Sequence, residues 1–162
     1  MVRNKKPQLI KHLADPANDE FLLEHSPFFR LTQAEILYQK RMAENLKAVG
    51  MDIPRWRILM ILHEKSPSTI SEIAERALMN LSTMTRVAQR LEGDGLVKLA
   101  SNQQDARSTD VHITPEGNAA VEKIRAVASR TFRRATEDFS SADLERLNLL
   151  LTRLSQALLC GS

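Results

Sequence analysis

Most of the chain repeats its apolar residues with a helical period, and one short stretch repeats them as strands. From Ser26-Pro27 onward, Leu31, Ala34, Leu37, Tyr38, Met42 and Leu46 recur close to every 3.6 residues, which predicts a helix to about Val49. Ser26 suits its N-cap, Pro27 its first position and Gly50 its C-cap. Ile53-Pro54 starts a second helix with Trp56, Leu59, Met60, Ile61 and Leu62 for burial, and Lys65-Ser-Pro-Ser68 breaks it. Thr69 and Glu72 have capping-box spacing ahead of a short helix, Ile70 to Ala77, whose inward residues are Ile73, Ala74 and Ala77. A turn at Leu78-Met-Asn80 leads to a helix from Leu81 to Glu92, closed by Asp94-Gly95. Its inward face is Met84, Val87, Ala88 and Leu91. Leu96 to Ala100 and Asp110 to Thr114 then read as two strands, with Val111 and Ile113 on one face and His112 on the other. Two more helices follow, about 115–137 after Thr114-Pro115 and about 141–159 after Ser140, with Asp143 three residues on.

The predicted fold class is mainly α with a small β-hairpin wing (α+β). Its divisions are an N-terminal arm (1–25), an N-terminal helix contributing to dimerisation (26–53), a winged helix-turn-helix module (54–114) and C-terminal dimerisation helices (115–160). In the arm, Leu9, Ile10 and Leu13 suit a short helical turn, and Phe21-Leu-Leu23 suits an anchor onto the body or a partner subunit. The last helix carries Leu144, Leu147, Leu150, Leu151, Leu154 and Leu158, too apolar a ladder for a lone surface helix. Leu147, Leu151, Leu154 and Leu158 are assigned to a homodimer interface. The competing account is that they fill an ordinary monomeric core.

Helix, turn, helix and hairpin in this order form a reading module for double-stranded DNA, with one helix in the major groove and the wing beside the minor groove. Helix 81–92 is the expected recognition helix. Ser82, Thr83, Thr85 and Arg86 lie near its start and Gln89 one turn on. Arg and Gln donate to base edges or phosphates, and Ser and Thr bond phosphates or groove edges. Ser82 and Thr83 equally suit a capping role. Asn80 belongs at the helix entrance, where free backbone amides can hold a phosphate, and Ser71 offers a similar contact from the preceding helix. In the wing, Arg107 suits the electronegative minor groove, against the alternative of an ion pair within the wing. Asp105 is assigned to stabilising the wing by accepting backbone or Arg donors.

Composition adds limits. The 162 residues carry a net charge of +3, which permits a polyanionic partner without demanding one. Arg3, Lys5 and Lys6 concentrate basic charge at the N-terminus. The single cysteine, Cys160, excludes an intrachain disulfide and a cysteine-based metal cluster, and a free thiol is expected. No apolar run approaches the length of a membrane span, and the basic N-terminus lacks a signal-type apolar core, so a cytoplasmic protein is expected. His12, His25, His63 and His112 have no tight ligand spacing. No nucleophile elbow, phosphate loop or metal motif organises the polar residues, so no enzyme, cofactor or metal is expected.

Together, Trp56-Arg-Ile-Leu59, Ile70-Ser-Glu-Ile-Ala74, Met84-Thr-Arg86 through Leu91-Glu-Gly-Asp-Gly-Leu-Val97, Asp105-Ala-Arg107 and Ile113-Thr-Pro-Glu-Gly117 carry a resemblance. In that order and spacing the chain resembles the MarR family of bacterial transcriptional regulators over nearly everything after residue 28. The resemblance implies a homodimer that binds pseudo-palindromic operators, usually as a repressor, and is released by a small effector held between the dimer interface and the reading heads. Members similar in their N-terminal part respond to phenolic acids or their coenzyme A thioesters. Phe28, Phe29, Tyr38, Arg41 and Trp56 are the pocket candidates, because aromatics beside an arginine suit an aromatic carboxylate or acyl-CoA. Burial in an ordinary core explains Phe28, Phe29 and Trp56 at least as well. The chain departs from the family in having Ala106 where many members have arginine, and this leaves DNA affinity open. It also lacks the N-terminal cysteine of peroxide-sensing members. The alternative function is a winged-helix protein-interaction module without sequence-specific DNA binding.

Overall fold

The computed structural model describes residues 11–160. Arg3, Lys5, Lys6, Leu9 and Ile10 lie outside the described residues. A 3-10 turn, Leu23–His25, precedes six helices and three strands: α1 Pro27–Lys47, α2 Ile53–Glu64, β1 Ser68–Thr69, α3 Ile70–Ala77, α4 Leu81–Gly93, β2 Val97–Ser101, β3 Thr109–Ile113, α5 Pro115–Ala135 and α6 Ser141–Cys160. No helix among the described residues is long and apolar enough to cross a membrane.

Local chemistry sets the helix starts. Ser26, Asp52, Thr69, Asn80 and Thr114 each accept a backbone N–H of the first turn they cap, satisfying donors that have no intrahelical partner. At α3 the capping box is complete: Glu72 N–H donates to Thr69 Oγ1 and Thr69 N–H donates to Glu72. The Thr69 N–H, with the Lys65 ammonium and the Thr69 hydroxyl, holds the Glu72 carboxyl at a pKa of about 2. Ser140 and Asp143 cap α6 reciprocally, and the Ser140 hydroxyl and backbone N–H, both donating to Asp143 Oδ2, lower the Asp143 pKa.

The sheet differs from the expected hairpin. It has three strands in the order β1-β3-β2, all antiparallel. Ser68 and Thr69 pair with Val111 and Asp110, so the segment read as a breaker also covers the outer edge of β3. The wing strands also sit one residue from their expected bounds: β2 begins at Val97, and β3 ends at Ile113 because Thr114 caps α5.

The core joins the middle of the chain to the end of α1. Ile58, Leu59 and Leu62 of α2, Ile73 of α3, Met84 and Leu91 of α4, Val111 of β3, and Val121 and Ile124 of α5 are fully enclosed with Met42 and Leu46 of α1. The expected inward faces of α3 and α4 are all buried. Gly117 lets α5 approach the turn before β2, since a Cβ there would meet Leu96 O at 2.1 Å. The terminal helices behave differently. Leu31, Leu37 and Tyr38 of α1 are exposed, and α6 has no buried residue.

Candidate DNA-reading face and effector cleft

Helix α4 is fixed from below by its apolar face and from the side by a carboxylate. Glu92 Oε1 accepts Leu99 N–H of β2 at 2.8 Å, which ties the wing to the end of the helix. Arg55 secures the same end. It donates to Asp94 Oδ2 at 2.6 Å, to Asp52 Oδ2 at 3.2 Å and to Gly50 O at 2.8 Å, and so links α4 to the α1–α2 turn.

On the outer side of α4, Ser82, Arg86 and Gln89 are exposed, and Thr83 and Thr85 are partly covered. The entrance is capped by Asn80, not by the neighbouring hydroxyls: Asn80 Oδ1 accepts Thr83 N–H at 2.8 Å. Ser82 Oγ donates to the same oxygen at 3.0 Å, and Thr85 Oγ1 donates to Leu81 O at 2.9 Å. A hydroxyl has one proton, so in this arrangement both residues present only acceptors. Phosphate contact through either would require its internal bond to open. Ser71 is exposed on α3.

The wing tip is a nested turn. Asn102 Oδ1 accepts the N–H groups of Gln104 (2.8 Å) and Asp105 (2.9 Å), and Asp105 Oδ1 accepts Arg107 N–H at 3.0 Å. Asp105 thus holds backbone within the wing turn. Asn102 shares the task, and sequence reading passed it over because its partners are fixed only once the loop closes. The ion pairs separate two groups of cations. Lys65 is paired with Glu72, Arg76 with Glu64 and Arg90 with Asp52. Arg86, Lys98 and Arg107 make none of the ion pairs found among the described residues. Lys98, exposed on β2, is a cation the sequence reading did not single out.

A cleft of about 840 Å³ opens between α1 and α5. Tyr38 and Arg41 line it with Leu37, Lys40, Arg130 and Arg134. On its floor Asn45 Nδ2 donates to Thr131 Oγ1 at 2.9 Å, joining the two helices. Arg41 is paired with Glu44, whereas Lys40, Arg130 and Arg134 make none of the ion pairs found among the described residues. Burial pushes the Tyr38 hydroxyl above the usual phenol range, and the Arg57 guanidinium opposes that shift. The other aromatic candidates lie off this lining. Phe28 is half exposed at the start of α1, Phe29 is partly covered, and Trp56 rests against the core with its Nε1 unpartnered. Arg130, Thr131 and Arg134 escaped sequence reading because a charged run on a long helix looks like a solvated face.

Comparison with known proteins agrees with this geometry. The MarR family model matches residues 51–109, from the start of α2 to the wing. The HTH-type transcriptional repressor IacR of Pseudomonas putida is 40% identical over 137 residues, covering 85% of this chain and 82% of that protein. The crystal structure of a probable transcriptional regulator from Pseudomonas aeruginosa superposes with a TM-score of 0.73 at 28% identity, over 82% of this chain and 99% of that one. CouR from Rhodococcus jostii RHA1, solved bound to p-coumaroyl-CoA, shares the fold with a TM-score of 0.75 at 16% identity, over 82% of this chain and 94% of its own. The chain belongs to the MarR family of winged helix-turn-helix, DNA-binding transcription regulators, whose members act on transcription rather than as enzymes.

Proposed function

We propose that the protein is a ligand-responsive repressor that binds a pseudo-palindromic operator as a homodimer and leaves it when a small organic anion occupies the α1–α5 cleft. The observation that carries the DNA side is the sorting of charge. Arg86 on α4 and Lys98 and Arg107 on the wing make none of the ion pairs found among the described residues, whereas Arg55, Lys65, Arg76 and Arg90 of the same module are paired with carboxylates and Arg57 donates to Ala77 O. Unpaired cations on a rigid helix and wing are the groups that displace counterions from a duplex. Arg86 and Gln89 are assigned to base or phosphate contact and Arg107 to the minor groove, with Ser71, Asn80, Ser82, Thr83 and Thr85 around them. The dimer is supported by the unburied leucines of α6.

The cleft supports an effector with an apolar body and a negative end. Ala34, Leu37 and Tyr38 give it an apolar wall, and Arg130 and Arg134 stand opposite as cations. Aromatic acids and aromatic acyl-CoA thioesters have this character, and CouR, of the same fold, is bound to one.

The test is selection of duplexes from a random pool followed by a salt titration of the winner. A single pseudo-palindrome bound by one dimer, with affinity falling steeply as salt rises, is expected. Arg107→Ala should weaken that binding and leave the dimer intact. No enrichment at low or moderate salt overturns the reading. Release of the selected duplex by 4-hydroxycinnamate or its coenzyme A thioester, lost in Arg134→Ala, tests the effector class.

A further inference from the structure

Three helices of this chain end in the same doubly hydrogen-bonded turn. After α1, Met51 N–H donates to Leu46 O at 3.0 Å and Gly50 N–H to Lys47 O at 3.1 Å. After α4, Leu96 donates to Leu91 O and Gly95 to Glu92 O, both at 2.9 Å. After α3, Met79 donates to Ala74 O at 2.9 Å and Leu78 to Glu75 O at 3.1 Å. The turning residue is left-handed each time, with φ of +68° at Gly50, +73° at Gly95 and +53° at Leu78. Glycine suits this position because it has no Cβ to crowd the backbone. Leucine carries strain there, and no packing among the described residues compensates: Leu78 is 91% exposed. Three residues on, Leu81 opens α4 and is 54% exposed. Two large apolar side chains therefore stand in solvent at the tip of the helix-turn-helix. The hydroxyls beside them, on Ser82 and Thr85, have their protons engaged internally. Such local strain combined with apolar exposure is a mark of function when the fold does not require it.

We propose that Leu81, with Leu78 beside it, is a specificity-determining apolar edge that recognises the C5-methyl group of thymine in the major groove. This rests on the placement of α4 in that groove argued above. Residues at the start of a recognition helix meet base edges, and thymine alone presents a methyl group there. Seating that methyl against leucine removes both from water. The same surface offers cytosine no hydrogen bond and leaves its amino group without a partner.

The experiment uses the full chain and the selected duplex. Each thymine of one half-site is replaced in turn by deoxyuridine, which deletes the methyl and keeps every hydrogen-bonding group. Wild type should lose about fourfold in affinity at one or two positions, the factor that corresponds to one buried methyl group. Leu81→Ala should bind the unmodified duplex more weakly and be indifferent to the replacement at one of those positions. Arg86→Ala, the control, should bind more weakly yet keep the preference for thymine. Leu78→Gly should raise Tm, by relieving the left-handed strain, while lowering affinity. Indifference of wild type to every replacement, or full discrimination retained by Leu81→Ala, overturns the proposal while leaving α4 in the groove. Unchanged affinity in Leu78→Gly removes Leu78 from the edge. Absence of duplex binding by wild type removes α4 from the groove and overturns the proposal with it.

Discussion

Helix α4 buries Met84, Val87, Ala88 and Leu91 within its own chain, whereas α6, though richer in leucine, buries nothing. Both have an apolar face at helical spacing and both start on a side-chain cap. The difference lies in what the chain brings to meet them. Around α4 stand α2, α3 and β2, each contributing apolar side chains to one closed core. Leu147, Leu150 and Leu158 of α6 meet solvent, as do Leu31 and Leu37 of α1. A core that closes within one chain, with help from the end of α1 and the start of α5, and terminal helices whose outer leucines meet solvent suit a molecule in which a second copy supplies the missing surface. They also separate the stability of the head from the strength of the proposed dimer.

The strongest test of that separation is Leu151→Glu. A carboxylate placed in an apolar helical interface costs several kcal/mol when left unpaired, so the dimer dissociation constant should rise at least about a hundredfold. Sedimentation should then show monomers whose reading head still melts cooperatively. A folded, undiminished dimer would break the comparison at its centre. Gly117→Ala should do the reverse. A Cβ at 2.1 Å from Leu96 O and 2.8 Å from Ile113 Cγ1 forces backbone to move, with an expected loss of about 1–3 kcal/mol in denaturant unfolding. Arg55→Ala, which removes three contacts from a side chain only 15% exposed, should cost about 1–2 kcal/mol and leave oligomeric state unchanged.

The smallest effect belongs to Glu72. Its folded pKa lies below the ordinary carboxylate value, at about 2 against 4.5, so its contribution is fully present above pH 4.5 and is lost as pH falls toward 2. Thermal melts of Glu72→Gln should show a slightly lower Tm than wild type near neutrality and a flatter acid limb, the two proteins converging as pH falls toward 2. The carboxylate is well exposed, so screening by solvent and salt keeps the effect modest.

The features legible beforehand were those written locally. The capping box at Thr69 and Glu72 depends on three-residue spacing, and the buried faces of α3 and α4 depend on a 3.6 period. Both appear as expected. Strand β1 was not legible, because two residues carry no period and become a strand only when the edge of β3 lies alongside. Of the aromatic candidates only Tyr38 lines the α1–α5 cleft, together with Arg41. Tyr38 and Arg41 share α1, but the wall that faces them comes from α5, far along the chain, and neither Arg130 nor Thr131 has a local mark of such a role.

The sequence by itself determined where helices begin and end, which faces are apolar and which family the order of motifs resembles, because each follows from neighbours a few residues apart. Tertiary structure alone decided which cations are left without carboxylates, which hydroxyls keep a proton for a partner, which strand covers the sheet edge and where a cleft opens. Those outcomes depend on distances between residues that only the folded chain brings within a few ångströms.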